Sequence, residues 1–137
     1  MKYQFYENLP AQAKLIREKV FVEEQGFENE FDKRDSACLH LVVFKDDKAV
    51  GCARMFDDHG QMTLGRIAVL KEARHLHIGS FILQTLELKA KELGYHEVVL
   101  SAQLRASDFY RKNGYIAYGD EYLDEHCPHV QMKKEIA

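Results

Sequence analysis

Proline is nearly absent: two prolines and 8 glycines in 137 residues leave no room for a low-complexity linker. Cysteine is scarce too. Cys38, Cys52 and Cys127 are odd in number, far apart and free of any C-x-x-C spacing, which argues against a disulfide framework and for a reducing compartment, so the cytoplasm is expected. No sign of charge dominates, because 19 Lys+Arg against 22 Asp+Glu give a formal charge of −3, and Lys2, Lys133 and Lys134 form no basic stripe. Nucleic acid is therefore not an expected partner. Long apolar runs are missing as well. Met1 to Tyr6 has no signal-like apolar core, and Arg66, Lys71 or Gln84 interrupt the longest apolar stretches before the ~18 residues that a spanning helix needs. Neither a membrane nor a targeting segment is expected.

What is present suits one domain over residues 1–137. A length of 137 residues lies in the usual domain range, and 46% hydrophobic with 11% aromatic residues supply a packed core.

Lys2 to Tyr6 alternates aromatic and polar residues, as a half-buried strand does. Asn8 and Pro10 then open a helix to about Val22, with Ile16 and Val20 inward, Arg17, Glu18 and Lys19 on the wet face, and Gly26 at its end. Phe27 to Ser36 has neither helical nor strand period and reads as an ordered loop carrying acidic groups. Leu39 to Phe44 and Ala49 to Phe56 are strands about a turn at Asp46 and Asp47, and Asp57 to Gly60 signals another hairpin. In Gln61 to Leu70 the pattern changes phase at Gly65 and Arg66. Side chains alternate strictly in a strand, so the slip predicts a β-bulge and a bend. Ile82, Leu83, Leu86, Ala90 and Leu93 mark a helix from Gly79 to Leu93 with Gly94 as its C-cap. Val98 to Leu100 reads as a buried strand, Ala106 to Lys112 as a short helix, and Tyr115 to Tyr118 and Val130 to Lys133 as closing strands. The expected class is α+β, with one strand-loop-helix-strand unit embedded in it.

The loop Lys71 to His77 precedes the long helix and holds Arg74, His75 and His77 ahead of Gly79 and Ser80. Free N–H groups at a helix start, with an arginine fork beside them, suit a phosphate-bearing ligand. Any strand-to-helix connection shares part of that pattern.

The stretch R-I-A-V-L-K-E-A-R-H-L-H-I-G-S-F-I-L (Arg66 to Leu83), followed by A-S-D-F-Y-R-K-N-G-Y (Ala106 to Tyr115), resembles the GCN5-related N-acetyltransferase (GNAT) superfamily. V-F-V-E-E-Q-G-F (Val20 to Phe27), with Asp35, His40 and P-H-V-Q-M (Pro128 to Met132), is similar to its small, mostly uncharacterised ElaA/YjcF-like subgroup. The resemblance covers nearly the whole chain. It implies the acyl-CoA N-acyltransferase fold, a mixed, mostly antiparallel sheet with a bulged central strand flanked by helices, and it implies acetyl-CoA as acyl donor with no metal. It further implies that Ile67, Ala68 and Val69 offer backbone groups to pantetheine and that Arg74, His75, Leu76, His77, Ile78, Gly79 and Ser80 hold the pyrophosphate. Gln103 and Phe109 would flank the donor, and Tyr110 would protonate the departing thiolate. Read without the family, Tyr110 is more readily an aromatic packing beside Phe109 than a catalytic acid.

Two departures stand out. His75 and His77 replace residues that are usually Gly in the family, where the backbone turns or nears phosphate, so donor binding would be weakened or made pH-dependent. Gln103 stands where many members have Asn.

The acceptor half-site is less determined. An amine of pKa ~10.4 must lose a proton before attack, and the polar groups available are Glu24, Gln25, Asp35, His40, Glu121 and His129. Glu24 and His129 are the candidate bases, with a solvated helix-end carboxylate and a satisfied strand histidine as the plain alternatives. Acidic excess at Glu23 to Asp35 and Asp120 to Glu125 would suit a cationic acceptor, although charged loops are usually only solvated faces. His126, Cys127 and His129 match no usual zinc spacing. The expected function is transfer of acetyl from acetyl-CoA directly to an amine-bearing acceptor, with a homodimer left open. The alternatives are an acyl-CoA-binding regulatory module without turnover and an acyltransferase that uses a different acyl thioester.

Overall fold

The computed structural model describes residues 1–136. The alternating segments become strands β1 (Lys2–Tyr6), β2 (Leu39–Lys45), β3 (Lys48–Asp58), β4 (Gln61–Val69), β5 (Glu97–Gln103), β6 (Ile116–Asp124) and β7 (Cys127–Glu135). The 3.6-period segments become α1 (Ala11–Arg17), α2 (Ile78–Glu92) and α3 (Ser107–Lys112). The strands form one sheet in the order β1-β2-β3-β4-β5-β7-β6, antiparallel except where β4 runs parallel to β5. That parallel pair needs a crossover, and α2 supplies it. The mixed, mostly antiparallel α+β sheet matches the expectation.

Strict alternation gives the sheet two apolar faces. Leu41, Met55, Leu64, Leu100 and Met132 meet Ile78, Ile82, Leu83 and Leu86 of α2. Val42, Cys52 and Ala68 meet Ala13, Ile16, Val20 and Phe21 on the other face. Ile82, Leu83 and Leu86 are 0% exposed, and burying each contributes about 1.5–3 kcal/mol. Gly51 lets α2 sit on β3, since a Cβ there would stand 2.9 Å from Ile82 Cδ1.

The bulge forms where the phase slips. Cys52 pairs with Ala68 and Arg54 with Gly65, so Ala53 alone faces both Arg66 and Ile67, and Arg66 takes a left-handed backbone at φ 48°. Leu64 and Ile67 consequently face the same core. The β4–β5 pairing covers only Met62–Val98 to Leu64–Leu100, so past the bulge the two strands part.

Two elements differ from the sequence reading. The first helix is α-helical only to Arg17, then widens to π-type turns over Glu18–Glu24, and Arg17 lies inward at 1% exposure rather than on the wet face. The last hairpin is longer than expected, because β6 continues through Gly119, Asp120 and Glu121 by a register shift between Tyr118 and Tyr122. Among the described residues no helix is long and apolar enough to cross a membrane.

Candidate functional site

Where β4 leaves β5, a cavity of about 260 Å³ opens between Gly65, Arg66 and Ile67 on one side and Leu100, Ser101 and Gln103 on the other. Gln25 and Phe27 close it from the first helical segment, Tyr110 from α3, and Asp124, Glu125 and His129 from the β6–β7 hairpin. A second cavity of about 500 Å³ shares Leu64, Gly65, Arg66, Ser101, Asp124 and His129 with it. It continues over Thr63, Val99 and Gln131 to Arg34, Phe56, Asp58 and Tyr118.

The loop before α2 turns twice through a backbone that glycine would favour. His75 and His77 have φ of 64° and 61°, the left-handed region that favours glycine, and both imidazoles are exposed. His77 caps α2, and the N–H of Phe81 donates to its carbonyl at 3.1 Å. The amides of Ile78, Gly79 and Ser80 precede that first intrahelical bond, as at any helix start. Gly79 is needed for contact, since a Cβ would stand 2.9 Å from Phe109 Cζ. That contact brings α3, and Tyr110 with it, beside the start of α2.

Arg74 is committed within the protein. Its Nε donates to the Val69 carbonyl at 3.1 Å, while Nη1 and Nη2 donate to Glu24 Oε2 and Oε1 at 2.6 and 2.7 Å. The bond from Arg74 holds the Glu24 carboxyl below the usual range, which makes it a poor proton acceptor. The carboxylate occupies the fork expected for phosphate.

Tyr110 is half-buried against Phe109 and Tyr115, with ring centroids at 5.1 and 5.9 Å. Burial pushes its phenol up to about 12, so it keeps its proton at neutral pH. His129 is 6% exposed, and its Nδ1 donates to the Cys127 carbonyl at 2.9 Å. A carbonyl only accepts, so in the neutral ring this bond places the proton on Nδ1 and puts the lone pair on Nε2, in a residue that lines both cavities. Tyr122 stacks on the imidazole at 6.0 Å and bonds through its hydroxyl to Ser101 and Gln131. Gln103 donates to Gln25 at 2.8 Å and accepts from Arg105 at 2.8 Å, so its amide spans the end of the cleft.

Four expected acceptor residues line neither cavity: Glu24, already tied to Arg74, and Asp35, His40 and Glu121. His40, 1% exposed, donates from Nε2 to the Asp35 carbonyl at 2.8 Å. Asp35 accepts from Arg17 at 2.8 Å and from Arg54 at 3.0 Å. Both are absorbed in the wall behind the cavities. Glu121 is exposed at the β6 irregularity and lines neither cavity.

Sequence reasoning missed the cluster that holds this wall. Glu30 takes Arg17 Nε and Arg66 Nε, each at 2.9 Å, while Arg54 reaches Asp32 at 2.8 Å. Arg66, the bulge residue itself, also donates to the Glu30 carbonyl at 3.1 Å. The bulge that opens the cleft thus pins the loop that walls it. The available signal was Arg17, which lies one residue from Ile16 and three from Val20 on a helix with a broad buried face. Among the described residues no three His, Cys, Asp or Glu side chains converge as a metal site, and His126 packs on Phe27 at 5.0 Å.

Residues 10–136 match the family model of the acetyltransferase (GNAT) domain. YjcF of Bacillus subtilis, an uncharacterised N-acetyltransferase, is 39% identical over 126 residues, which cover 90% of this chain and 90% of that protein. The solved structure of ElaA from Escherichia coli superposes with a TM-score of 0.84 at 26% identity, over 98% of this chain and 99% of that one. An acyl-CoA N-acyltransferase from Pseudomonas aeruginosa superposes with a TM-score of 0.85 at 25% identity, over 97% and 98% of the two chains.

Proposed function

The chain belongs to the GNAT acetyltransferase family, and from that premise we propose that it moves the acetyl group of acetyl-CoA directly onto an amine. The observation that carries the reading is the parting of β4 from β5 at the Arg66 bulge, with Tyr110 and His129 both lining the opening. The residues fit a CoA thioester. Ile67, Ala68 and Val69 present a β4 edge that β5 does not pair, and the amides at the start of α2 suit a pyrophosphate. A thioester held there supplies an activated carbonyl and a thiolate leaving group.

His129 Nε2 takes the proton of the acceptor ammonium, which frees the nitrogen lone pair. The C–N bond forms as the C–S bond breaks, the Tyr110 hydroxyl gives its proton to the departing sulfur, and the second proton of the acylated nitrogen passes through solvent to restore the phenol. Because the nucleophile belongs to the substrate, no enzyme cysteine takes part, and all three cysteines are buried. A positioned acid and base each contribute about 10²–10⁴-fold. Glu24 serves as the partner of Arg74 rather than as the base.

Calorimetric titration of acetyl-CoA and of CoA at pH 6 and pH 8, into wild type and His75→Gly/His77→Gly, tests the donor site. Micromolar binding that tightens at pH 6, and loses that dependence in the double variant, supports it. No binding at either pH, restored by the glycines, defeats the enzyme reading while keeping the fold. The alternative is a CoA-binding module without turnover, its pyrophosphate held by the α2 amides because Glu24 already occupies the Arg74 fork. Full CoA affinity with no acetyl transfer to any amine in a broad panel would establish it, and a preference for longer acyl groups would reassign the donor.

A further inference from the structure

The acidic groups around the two cavities are almost all committed. Glu30 is held by Arg17 and Arg66, Asp32 by Arg54 and Arg66, and Asp58 lies 3.8 Å from Arg34. Glu125 accepts from the backbone N–H groups of Glu28 and Asn29 at 2.9 and 3.0 Å. Asp124 is the exception: it lines both cavities, and among the described residues nothing pairs with its carboxylate. The arginines of the lining are the partners of those same acids, and Arg34 also lies over Phe56 at 4.8 Å. No lysine lines either cavity. Among the described residues the lining therefore offers one exposed, unpaired carboxylate, while its arginines stand against those acids, Arg34 by the 3.8 Å contact alone. A second, independent observation points to a ligand at the same place, namely the unpartnered Nε2 of His129 on a residue that is 6% exposed.

A carboxylate paired with the amine that must lose its proton would raise that amine's pKa and oppose attack. Asp124 is useful only to a second cationic centre. Resting on the acetyl-transfer reading above, we propose that the acceptor is a diamine-type molecule, with one ammonium held by Asp124 while His129 deprotonates the other. An acceptor with a carboxylate or phosphate in place of the second ammonium meets Asp124 instead of a cation at that place. The chemistry is otherwise unchanged: one C–N bond forms, the thioester C–S bond breaks, and the free ammonium keeps its proton.

The test compares acetyl transfer, followed as thiol released from acetyl-CoA, to α,ω-diaminoalkanes, to the monoamine of equal length and to the ω-amino acid of equal length. The diamine should exceed both in kcat/KM by roughly twofold to fivefold, the scale of one exposed ion pair, and the advantage should shrink at high salt. Asp124→Asn should bring the diamine down to the monoamine through a higher KM, and Asp124→Glu should retain part of the preference, which a merely structural role would not do. Equal use of the ω-amino acid, or an unchanged preference in Asp124→Asn, overturns the inference while the acetyl-transfer reading stands. If no amine releases thiol, that reading fails by itself. Calorimetric titration of the diamine into wild type and Asp124→Asn then still decides the inference, with equal heats defeating it.

Discussion

At Tyr110 the same contacts that pack α3 against α2 also keep the phenol protonated. Burial raises it to about 12, so its acid form is lost only as pH approaches that value. The alkaline limb of a rate profile below pH 10 therefore cannot come from Tyr110. Tyr110→Phe should lower kcat by about 10²-fold or more with acetyl-CoA affinity nearly unchanged, as steady-state kinetics beside calorimetry would show. His129→Gln should lose a similar factor, whereas Glu24→Gln, which removes a carboxylate already held by Arg74, should leave kcat within about threefold. Cys52 is likewise pushed up to about 12 by burial, so a thiol alkylating agent applied to the native protein should leave activity intact. The sequence singled out Tyr110 and His129 by residue type and motif. It did not reveal that the Cys127 carbonyl fixes the imidazole proton, because that bond depends on how β7 begins.

At the scale of elements, α1 and the loop after it are joined by buried charge. Arg17→Ala would leave Glu30 to Arg66 alone and Asp35 to Arg54 alone, which should cost about 1–3 kcal/mol by denaturant unfolding, less than an uncompensated buried charge would. Hydrogen exchange of residues 27–37 should rise in the same variant, and unchanged protection there would mean that the loop is held by something else. The Gly65–Arg66 bulge was legible because a period of two cannot slip unseen. The hairpin was harder to read. Gly119, Asp120 and Glu121 look like a turn, and only pairing with β7 carries β6 across them as an irregular strand. In the sequence Asp124 is therefore only one of the acidic residues of Asp120 to Glu125, and its place in the cleft lining follows from the β6–β7 pairing.

For the whole molecule, the buried cluster sets the acid response. The bond from Arg54 holds Asp32 below the usual aspartate range. Burial would raise Asp35, but Arg17 and Arg54 outweigh it, so it too is lowered. Their stabilisation is complete above the unfolded value near ~3.9 and drains away as pH falls through the lower folded values. Glu30 has the opposite sign. Burial raises it despite Arg66 and Arg17, so its charge opposes folding above ~4.3 and is relieved by a proton. Urea midpoints should therefore be level or slightly higher at pH 4.5 than at pH 7, then fall sharply by pH 3. A midpoint that keeps rising to pH 3 would mean that Glu30 governs the cluster.

The sequence by itself determined the α+β class, the order of elements, the bulge, and the segment that begins α2, because each is written in periodicities and breakers a few residues apart. The tertiary structure decided which polar residues face the cleft. Asp35 and His40 were taken into the wall, Glu24 was tied to Arg74, and Asp124 was left free beside His129. Those outcomes depend on pairings between residues far apart in the chain, whose charges and hydrogen bonds find partners only once the sheet has brought them together.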